Sequence, residues 1–311
     1  MFEISSVQAL ADIIGVTPQE LYSLAGAFYE NVTFGPVKIK GKTREICKPS
    51  QRLKKVQQAL NKHFLQRIGL PENLMGSVPG KSPKKNAEKH SGKPFVYALD
   101  IKDFYPSIHY TRVKKLFLTL GCSEEVVNLL TRLTTYNGSL AQGFPTSSTL
   151  ANLILTPITP RIQKLCNQHG IAFTFYQDDL TISGGYRIPK LMNLFTRIMK
   201  QEGFELHHLP KKRKPMPRTI RQDVTGYVVN HKINVSKEYY RNLRMTIHLC
   251  KAKGIEAIAG DIPVEKFRQS LKGRIQYVLE VNPTRGKKLL AGFYKDKNFG
   301  LYCSASARCT D

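Results

Sequence analysis

Two groups of aspartates have residue types and chain positions that suit divalent-cation chemistry. Asp100 ends a nearly continuous apolar segment, Phe95–Ile101, which predicts a strand buried on both faces. Asp178 and Asp179 lie at the tip of a hairpin predicted over residues 171–183. An ionised carboxylate at the end of a buried strand is costly unless a cation balances it. Three converging carboxylates would form an all-oxygen site suited to Mg2+, whereas an Asp-Asp pair taken alone is more often a solvated turn.

Three short motifs surround these aspartates within about 85 residues. The first is Asp100 with Phe-Tyr-Pro-Ser at 104–107, the second is Gln-Gly-Phe-Pro-Thr-Ser-Ser at 142–148, and the third is Tyr-Gln-Asp-Asp at 176–179. In order and spacing they resemble the palm motifs of reverse transcriptases. The resemblance implies a right-hand polymerase fold with fingers, palm and thumb. The predicted strands and helices do not strictly alternate along the chain. This order favours an α+β fold class independently of the resemblance.

The resemblance also implies the residues that carry nucleotidyl transfer. Asp100 and Asp178 would bind two Mg2+ ions, with Mn2+ as an alternative, and the carbonyl of Ile101 would be an extra ligand. Asp179 would bind less directly, because neighbouring strand residues point to opposite faces. Two such ions can bridge the attacking hydroxyl and the leaving pyrophosphate. Tyr105 stands where the family keeps an aromatic steric gate against the ribose 2'-OH, and a core tyrosine is the alternative interpretation.

The nucleotide pocket is predicted from a second group of residues. Gln142 and Gly143 would line the incoming nucleotide, because glycine permits close backbone approach and glutamine offers an amide. Arg44 resembles the fingers residue that clamps the triphosphate, with Lys42 assisting. For Lys42, a solvated surface position is nearly as probable as a role in triphosphate binding.

The general acid that protonates the pyrophosphate is expected in the loop after Gly203. Lys211 and Lys212 both occupy this loop. Because the loop is longer than usual for the family, the sequence does not choose between them.

Two further motifs narrow the resemblance to one branch of the family. The segment from Asn86 to His90 matches the NAxxH pattern of retron reverse transcriptases, and Val224, Thr225 and Gly226 match their VTG motif. Neither motif has a mechanism that follows from its residues. Taken alone, they would be a polar loop and a strand with a close-packed glycine.

The retron resemblance spans roughly residues 5–295 and implies the function and the partners. Such enzymes bind a cognate structured non-coding RNA, start from the 2'-OH of an internal guanosine, and copy part of that RNA into multicopy single-stranded DNA that stays joined to it. They act in anti-phage defence with an effector protein encoded nearby. The expected partners are therefore this RNA, its DNA product, dNTPs and an effector. Retron enzymes commonly have alanine at the position of Gln177, which is not a metal ligand.

Basic charge is unevenly distributed along the 311 residues, which carry 48 Lys+Arg against 23 Asp+Glu and a net charge of +25. Residues 96–186 hold 7 bases and 6 acids, whereas residues 231–311 hold 16 and 7. A near-neutral centre with basic flanks favours nucleic acid as the partner over a membrane surface. RNA helices are contacted largely through phosphates and 2'-OH groups. The candidate RNA-binding residues are the NAxxH and VTG residues together with Lys237, Arg241, Arg244, Lys272 and Arg274.

Domain boundaries and secondary structure follow from the motifs and from hydrophobic periodicity. The predicted domains are an N-terminal helical segment (1–32), fingers (33–95), a palm (96–235, with 122–140 partly fingers), and a thumb with the C-terminal RNA-binding region (236–311), with no segment for an RNase H domain. The predicted elements include a basic hairpin (33–48), helices (50–68, 111–120, 123–135, 146–168 with a kink at Pro157 and Pro160, 188–202), a loop (76–89) and a strand (224–229).

Composition excludes several other classes of protein. No apolar run approaches the length of a membrane span, and the first 37 residues lack the basic region of a signal peptide. The six cysteines show no disulfide-like spacing. We therefore expect a cytoplasmic protein without a membrane partner.

Two alternative functions stay open at this point. The first is another prokaryotic reverse transcriptase, of the group II intron or diversity-generating type, although the intron type normally carries a longer maturase region. The second is mainly an RNA-binding scaffold that holds a toxic effector in check. The complete set of carboxylates argues against an inactive enzyme.

Overall fold

The fold was analysed in a computed structural model of the chain, which describes residues 4–39, 42–207 and 213–294. The chain divides into two compact units, Met1–Thr225 and Gly226–Asp311. Each unit has its own cluster of buried apolar side chains. The second unit begins at Gly226, and the division into fingers, palm and thumb stays a prediction.

The first unit opens with helices and a hairpin. Its first elements are α1 (Val7–Ile14), α2 (Pro18–Gly26), β1 (Val32–Ile39), β2 (Lys42–Pro49), α3 (Gln51–His63) and α4 (Pro83–Glu88). Strands β1 and β2 pair in antiparallel register, as the alternating apolar and basic residues predicted. Helix α4 lies inside the segment predicted as a loop, and its start is set by Ser82, whose hydroxyl accepts the Lys85 N–H at 3.1 Å.

The rest of the first unit alternates irregularly between strands and helices. Its elements are β3 (Phe95–Asp100), α5 (Tyr110–Thr119), α6 (Glu124–Thr134), β4 (Thr135–Tyr136), β5 (Ser139–Leu140), α7 (Ser147–Leu155), α8 (Thr159–His169), β6 (Ala172–Tyr176), β7 (Asp179–Gly184), α9 (Ile188–Gln201), β8 (Arg213–Pro217) and β9 (Asp223–Val224). A short 3-10 turn, Thr156–Ile158, separates α7 from α8. Pro157 lies in this turn. Because proline has no backbone N–H, it cannot donate the hydrogen bond that would continue α7.

A four-stranded antiparallel sheet carries the aspartates, with strand order β6-β7-β3-β8. Strand β3 lies in the middle of the sheet, and its residues Val96 and Leu99 are almost fully buried, as its apolar sequence predicted. The register pairs Asp100 on β3 with Asp179 on β7. Helices α8 and α9 pack against β6 and β7. The sheet therefore brings two segments nearly 80 residues apart to one edge.

The second unit is mostly helical. Its elements are β10 (Tyr227–Val228), α10 (Lys237–Lys253), α11 (Ile255–Ala259), α12 (Val264–Val281) and α13 (Pro283–Tyr294). Ser236 caps α10 by accepting the Tyr239 N–H at 3.0 Å. The strand predicted at 224–229 is instead interrupted, because Thr225 and Gly226 have φ angles of 45° and 89°, which no strand accommodates.

The imidazole of His90 joins the two strands of the aspartate hairpin from behind. Its Nδ1 lies 2.7 Å from the Ser183 hydroxyl on β7, and its Nε2 lies 2.8 Å from the Thr174 hydroxyl on β6. The side chain is fully buried. Burial lowers the pKa of His90 to about 3, and the charges of Lys89 and Lys93 act in the same direction. In the folded protein, a neutral, buried imidazole therefore links β6 and β7 through hydrogen bonds.

We predict that His90 makes folding stability dependent on pH. Its ordinary pKa of 6.5 is lowered in the fold to about 3, so the unfolded chain binds the proton first as the pH falls. The contribution is complete above about pH 6.5 and decreases toward pH 3, by about 2 kcal/mol between pH 7 and pH 5. Urea unfolding of the wild type and of His90→Gln at both pH values measures it. The variant should be less stable at pH 7 but lose less stability on acidification, and equal losses would contradict the prediction.

Candidate active site

A cavity of about 670 Å3 lies where the palm motifs meet. It is lined by seven of the predicted site residues, which are Arg44, Asp100, Ile101, Tyr105, Gln142, Gly143 and Asp178. Asp179 is exposed and does not line the cavity. Lys42 belongs to β2, but its side chain lies outside the described part of the structure, as do Lys211 and Lys212 entirely.

Backbone pairing aligns the two aspartates that line the cavity. The Ile101 N–H donates to the Asp178 carbonyl at 2.8 Å, directly after the last residue pair of β3 and β7. The Asp100 carbonyl accepts the His207 N–H at 2.9 Å. Both aspartates are therefore fixed at the backbone by neighbouring segments, and both line one cavity.

The turn between β6 and β7 is supported by residues 73–77, which we call the brace segment. Gln177 in this turn has a φ of 58°, a left-handed conformation that is uncommon for a residue other than glycine. Its side-chain Nε2 donates to the Ser77 hydroxyl at 2.5 Å. Gly76 approaches so closely that a Cβ there would lie 2.5 Å from the Gln177 nitrogen, and its carbonyl accepts the Asn152 side-chain amide at 2.8 Å. The brace segment thus holds the residue that precedes Asp178.

The first residues of the brace segment are themselves anchored. It pairs with β6 because the Met75 N–H donates to the Phe175 carbonyl, and the Phe175 N–H donates to the Asn73 carbonyl, each at 2.8 Å. The Lys81 ammonium donates to the carbonyls of Glu72 and Leu74 at 3.0 and 2.9 Å. Partial burial lowers the pKa of Lys81. Lys81 therefore acts as a structural donor beneath the brace segment.

Tyr105 lines the cavity between the first and second motifs. Its hydroxyl lies 3.0 Å from the Ser148 hydroxyl. Burial raises the pKa of the Tyr105 phenol, the charge of Asp178 raises it further, and the Ser148 hydrogen bond lowers it. The ring is consequently a neutral, fixed wall of the cavity close to Asp178.

The Gln142-Gly143 dipeptide is the surface on which the β1–β2 hairpin docks. The Cys47 N–H donates to the Gln142 carbonyl at 2.9 Å. Gly143 has a φ of 115°, and a Cβ there would collide with the Cys47 carbonyl and lie 2.6 Å from the Ile46 side chain. Only glycine permits this approach, which brings Arg44 of β2 to the cavity wall.

The carboxylates that line the cavity suit a magnesium ion whose other ligands are substrate phosphates and water. Asp100, Asp103 and Asp178 all line the cavity. In the ranges 4–39, 42–207 and 213–294, no three His, Cys, Asp or Glu side chains are grouped closely enough to hold a metal ion by themselves. Mg2+ is commonly bound by one or two carboxylates together with substrate phosphates and water. Asp100 and Asp178 meet that requirement, whereas a contribution from Asp179 stays a prediction.

Several lining residues were not predicted as site residues. They are Thr43, Glu45, Asp103, Phe104, Pro106, Phe144, Ser147, Ser148, Gln177 and His207. Most adjoin a predicted motif and could have been included by neighbourhood. His207 reaches the cavity through the bridge between Ile101 and Leu206, for which the sequence carries no local signal.

The NAxxH and VTG residues that were predicted to bind RNA differ in their exposure. Asn86, His90 and Val224 are buried. The Asn86 amide donates to the Thr225 hydroxyl at 3.4 Å, and that hydroxyl donates to the Pro83 carbonyl at 2.8 Å. Asn86, His90 and Val224 are therefore not accessible for direct RNA contact. Thr225 is half-buried and Gly226 is exposed, so RNA contact by these two residues stays a prediction.

The predicted RNA-binding bases of the second unit are accessible. Lys237, Arg241, Arg244 and Lys272 are exposed on α10 and α12. Arg274 is half-buried, with its guanidinium 5.8 Å from the Tyr239 ring centroid. Within the same unit, the exposed Gly226 accepts the Tyr277 hydroxyl at its carbonyl, at 2.9 Å.

A cavity lined by Asp100 and Asp178 together with an arginine, a glycine and an aromatic ring is suited to nucleotidyl transfer with divalent cations. The reverse transcriptase (RNA-dependent DNA polymerase) family matches residues 35–221, more than half of the chain. The chain therefore belongs to the reverse transcriptase family. This membership confirms the polymerase class that the palm motifs predicted, RNA-directed DNA polymerase.

Curated relatives of the chain are retron enzymes. Retron Mx65 reverse transcriptase of Myxococcus xanthus is 32% identical over 278 residues, covering 83% of this chain and 63% of that protein. Retron Ec86 reverse transcriptase of Escherichia coli is 29% identical over 273 residues, covering 86% and 80%. The chain thus spans less than two thirds of the Mx65 enzyme. These relatives confirm the recognition of a retron-type reverse transcriptase.

Among solved structures, the chain is similar to telomerase from Candida albicans in complex with a fragment of telomeric RNA. The alignment has a TM-score of 0.48 and 11% sequence identity, and it covers 88% of this chain and 61% of the telomerase chain. A TM-score at this level does not establish a shared fold. The fold assignment therefore depends on the family match and on the mixed sheet and helices.

We predict that the Gln177–Ser77 hydrogen bond positions Asp178. Gln177→Ala and Ser77→Ala should each lower kcat about two- to tenfold, the range expected for one lost hydrogen bond. The double variant should be no worse than either single variant, because both remove one interaction. Steady-state primer extension measures this, together with the melting temperature.

The matched control is Gln66→Ala, which removes an exposed glutamine amide outside the cavity. It should leave kcat unchanged. Additive losses from Gln177→Ala and Ser77→Ala would show that the two residues act separately and would contradict the prediction.

Proposed function

We propose that this chain is a retron reverse transcriptase, which copies part of a cognate structured non-coding RNA into multicopy single-stranded DNA primed from an RNA 2'-OH. The observation that carries the proposal is the single cavity shared by Asp100, Asp178, Arg44, Gly143 and Tyr105. It joins the residues expected for metal binding, triphosphate binding and sugar selection. The names of the curated relatives support the retron assignment within the family.

In the proposed mechanism, Asp100 and Asp178 would hold two Mg2+ ions, with the Ile101 carbonyl as a further ligand. When bound, Mg2+ supplies positive charge for the phosphates and lowers the pKa of the attacking hydroxyl. Arg44 forms charge-assisted hydrogen bonds to the triphosphate. The exposed Asp179 acts at the edge of the site, and Lys211 or Lys212 protonates the pyrophosphate.

Sugar and base are selected by the cavity wall that contains Tyr105, Gln142 and Gly143. The Tyr105 ring, fixed by Ser148, excludes a 2'-OH and so favours dNTPs. Gln142 offers its amide to the incoming nucleotide, and Gly143 admits the nucleotide close to the backbone. The same wall receives Arg44 from the β1–β2 hairpin, so nucleotide binding and hairpin docking use one surface.

The larger organisation is proposed from the family. Residues 33–95 form the fingers, residues 96–235 the palm and residues 236–311 the thumb. The exposed bases of α10 and α12 support RNA binding by the second unit through phosphate contacts. The remaining partners proposed are the DNA product and an effector protein encoded nearby, in an anti-phage defence system located in the cytoplasm. Across the described residues, no helix is both long and apolar enough to cross a bilayer.

We predict that DNA synthesis depends on the paired carboxylates. Asp100→Asn and Asp178→Asn should each reduce nucleotide incorporation by at least about a thousandfold, because each removes a ligand charge that offsets the bound cations. Asp179→Asn should cost less, since Asp179 lies outside the cavity lining. Primer extension across a Mg2+ titration measures all three variants.

The retron product itself separates this function from its alternative. Wild-type protein isolated with its nucleic acid should carry branched RNA–DNA that is absent from an Asp178→Asn, Asp179→Asn double variant. Wild-type protein that carries RNA alone under dNTP-replete conditions would instead favour a scaffolding function.

We predict that Tyr105 discriminates between dNTPs and rNTPs. Tyr105→Val removes the ring and should raise the relative kcat/KM for rNTPs about tenfold or more, because the steric clash with the 2'-OH is lost. Tyr105→Phe keeps the ring and should retain discrimination, although it loses the hydrogen bond with Ser148. Single-nucleotide incorporation kinetics measure both variants, and unchanged discrimination in Tyr105→Val would assign the ring to the core alone.

A further inference from the structure

A second cavity, of about 300 Å3, lies in the first unit between the end of α2, helices α5 and α6, and the turn at Asn137 and Gly138. Its lining includes the rings of Phe28, Tyr29 and Tyr110. Tyr29 and Tyr110 are 53% and 42% exposed. We call this cavity the aromatic groove. Its size reaches the lower limit of ordinary ligand pockets.

Among the described residues, Thr131 of the groove lining has a buried hydroxyl without a hydrogen-bond partner. The residue as a whole is only 7% exposed. A buried hydroxyl without a partner is costly. Asn128 and Asn137 add side-chain amides to the same lining. Aromatic walls with a polar inner edge suit a flat heterocycle that carries hydrogen-bonding groups.

The charge around the groove is positive. Lys114 and Arg132 line it, and none of its described lining residues is acidic. The Arg132 guanidinium lies 4.9 Å from the Tyr29 ring centroid, which leaves a cation beside the stacking surface. This combination suits a heterocycle that is joined to a phosphate.

Aromatic contacts connect the groove with the proposed active site. The ring of Phe28 lies 6.1 Å from that of Phe144, which lines the cavity of the aspartates. On the surface, the rings of Tyr29 and Tyr136 are 5.7 Å apart, and those of Tyr136 and Phe34 are 5.8 Å apart. Phe34 is 47% exposed and belongs to the hairpin that carries Arg44. The groove is thus a neighbour of the nucleotide pocket.

We propose that the aromatic groove binds an unpaired nucleotide of the RNA strand, with its base stacked on Tyr29 or Tyr110, its polar edge at Thr131, and its phosphate near Lys114 and Arg132. Base stacking on aromatic side chains and contacts from basic side chains are the general means of holding single strands. The site lies outside the cavity of nucleotidyl transfer. Only the claim that this RNA strand is the template rests on the proposed function.

The test is binding of a fluorescent 12-nucleotide oligouridine to the full chain, followed by anisotropy at two salt concentrations. The Tyr29→Ala, Tyr110→Ala double variant should bind about tenfold or more weakly, in line with the loss of stacking. The Tyr29→Phe, Tyr110→Phe double variant keeps the rings and should bind within about twofold of wild type. Thr131→Val should weaken binding about threefold.

The matched control is Tyr186→Ala, which removes a 65% exposed tyrosine outside the groove. It should bind like the wild type, and melting temperatures show that each variant is folded. Equal binding by the alanine and phenylalanine double variants would overturn the proposal. So would competition by uridine monophosphate that matches the oligonucleotide in affinity, because the groove would then be a mononucleotide site.

Primer extension separates this inference from the proposed function. On a template with one unpaired nucleotide, the Tyr29→Ala, Tyr110→Ala variant should match the wild type. On a template with eight unpaired nucleotides, it should show a severalfold higher KM for the template. If the wild type extends neither template, the proposed function fails, whereas the oligouridine measurement still decides the groove.

Discussion

The antiparallel register between β3 and β7 is the constraint on which the proposed active site depends. It pairs Asp100 with Asp179, and the next hydrogen bond, from Ile101 to Asp178, closes the sheet at the cavity. A slip of one residue would send every side chain of β3 to the opposite face. The buried side chains on both faces of β3 oppose such a slip, because each would lose the neighbours that it packs against. Packing on the two faces of β3 therefore fixes the position of Asp100 at the cavity.

Polar contacts from distant segments hold the turn next to that register. His90 joins β6 and β7 from one side, and the brace segment contacts the turn from another. Gln177 must keep a left-handed conformation, which persists only where the surrounding structure enforces it. Gly76 supplies the close approach, and Ser77 supplies the hydrogen bond. The retron motif around His90 thus has a mechanical interpretation, in which it stiffens the hairpin that carries Asp178.

The sequence allowed much of this to be predicted, but only where the signal was local. Strand β3, the β6–β7 hairpin and the break between α7 and α8 all follow from apolar runs and prolines. Helix α4 was missed because nearby glycines, prolines and lysines indicated a loop, although Ser82 and Pro83 are an N-cap signal. The burial of His90 was not predictable. Its partners Thr174 and Ser183 lie more than 80 residues away, and a polar motif alone indicates an exposed loop.

The distribution of charge suits the proposed function, in which one chain binds both a polyanion and Mg2+. Residues 96–186 hold nearly equal numbers of acids and bases, whereas most of the excess positive charge lies in the flanking segments. A lysine-rich centre would pair with Asp100 and Asp178 directly and would compete with Mg2+ for their oxygens. A neutral centre avoids that competition, and the flanks raise the local concentration of the phosphate backbone. Arg44 is a basic residue that does line the cavity of the aspartates. It enters the cavity from the hairpin, which belongs to the basic N-terminal segment, on the wall where a triphosphate would need a cation.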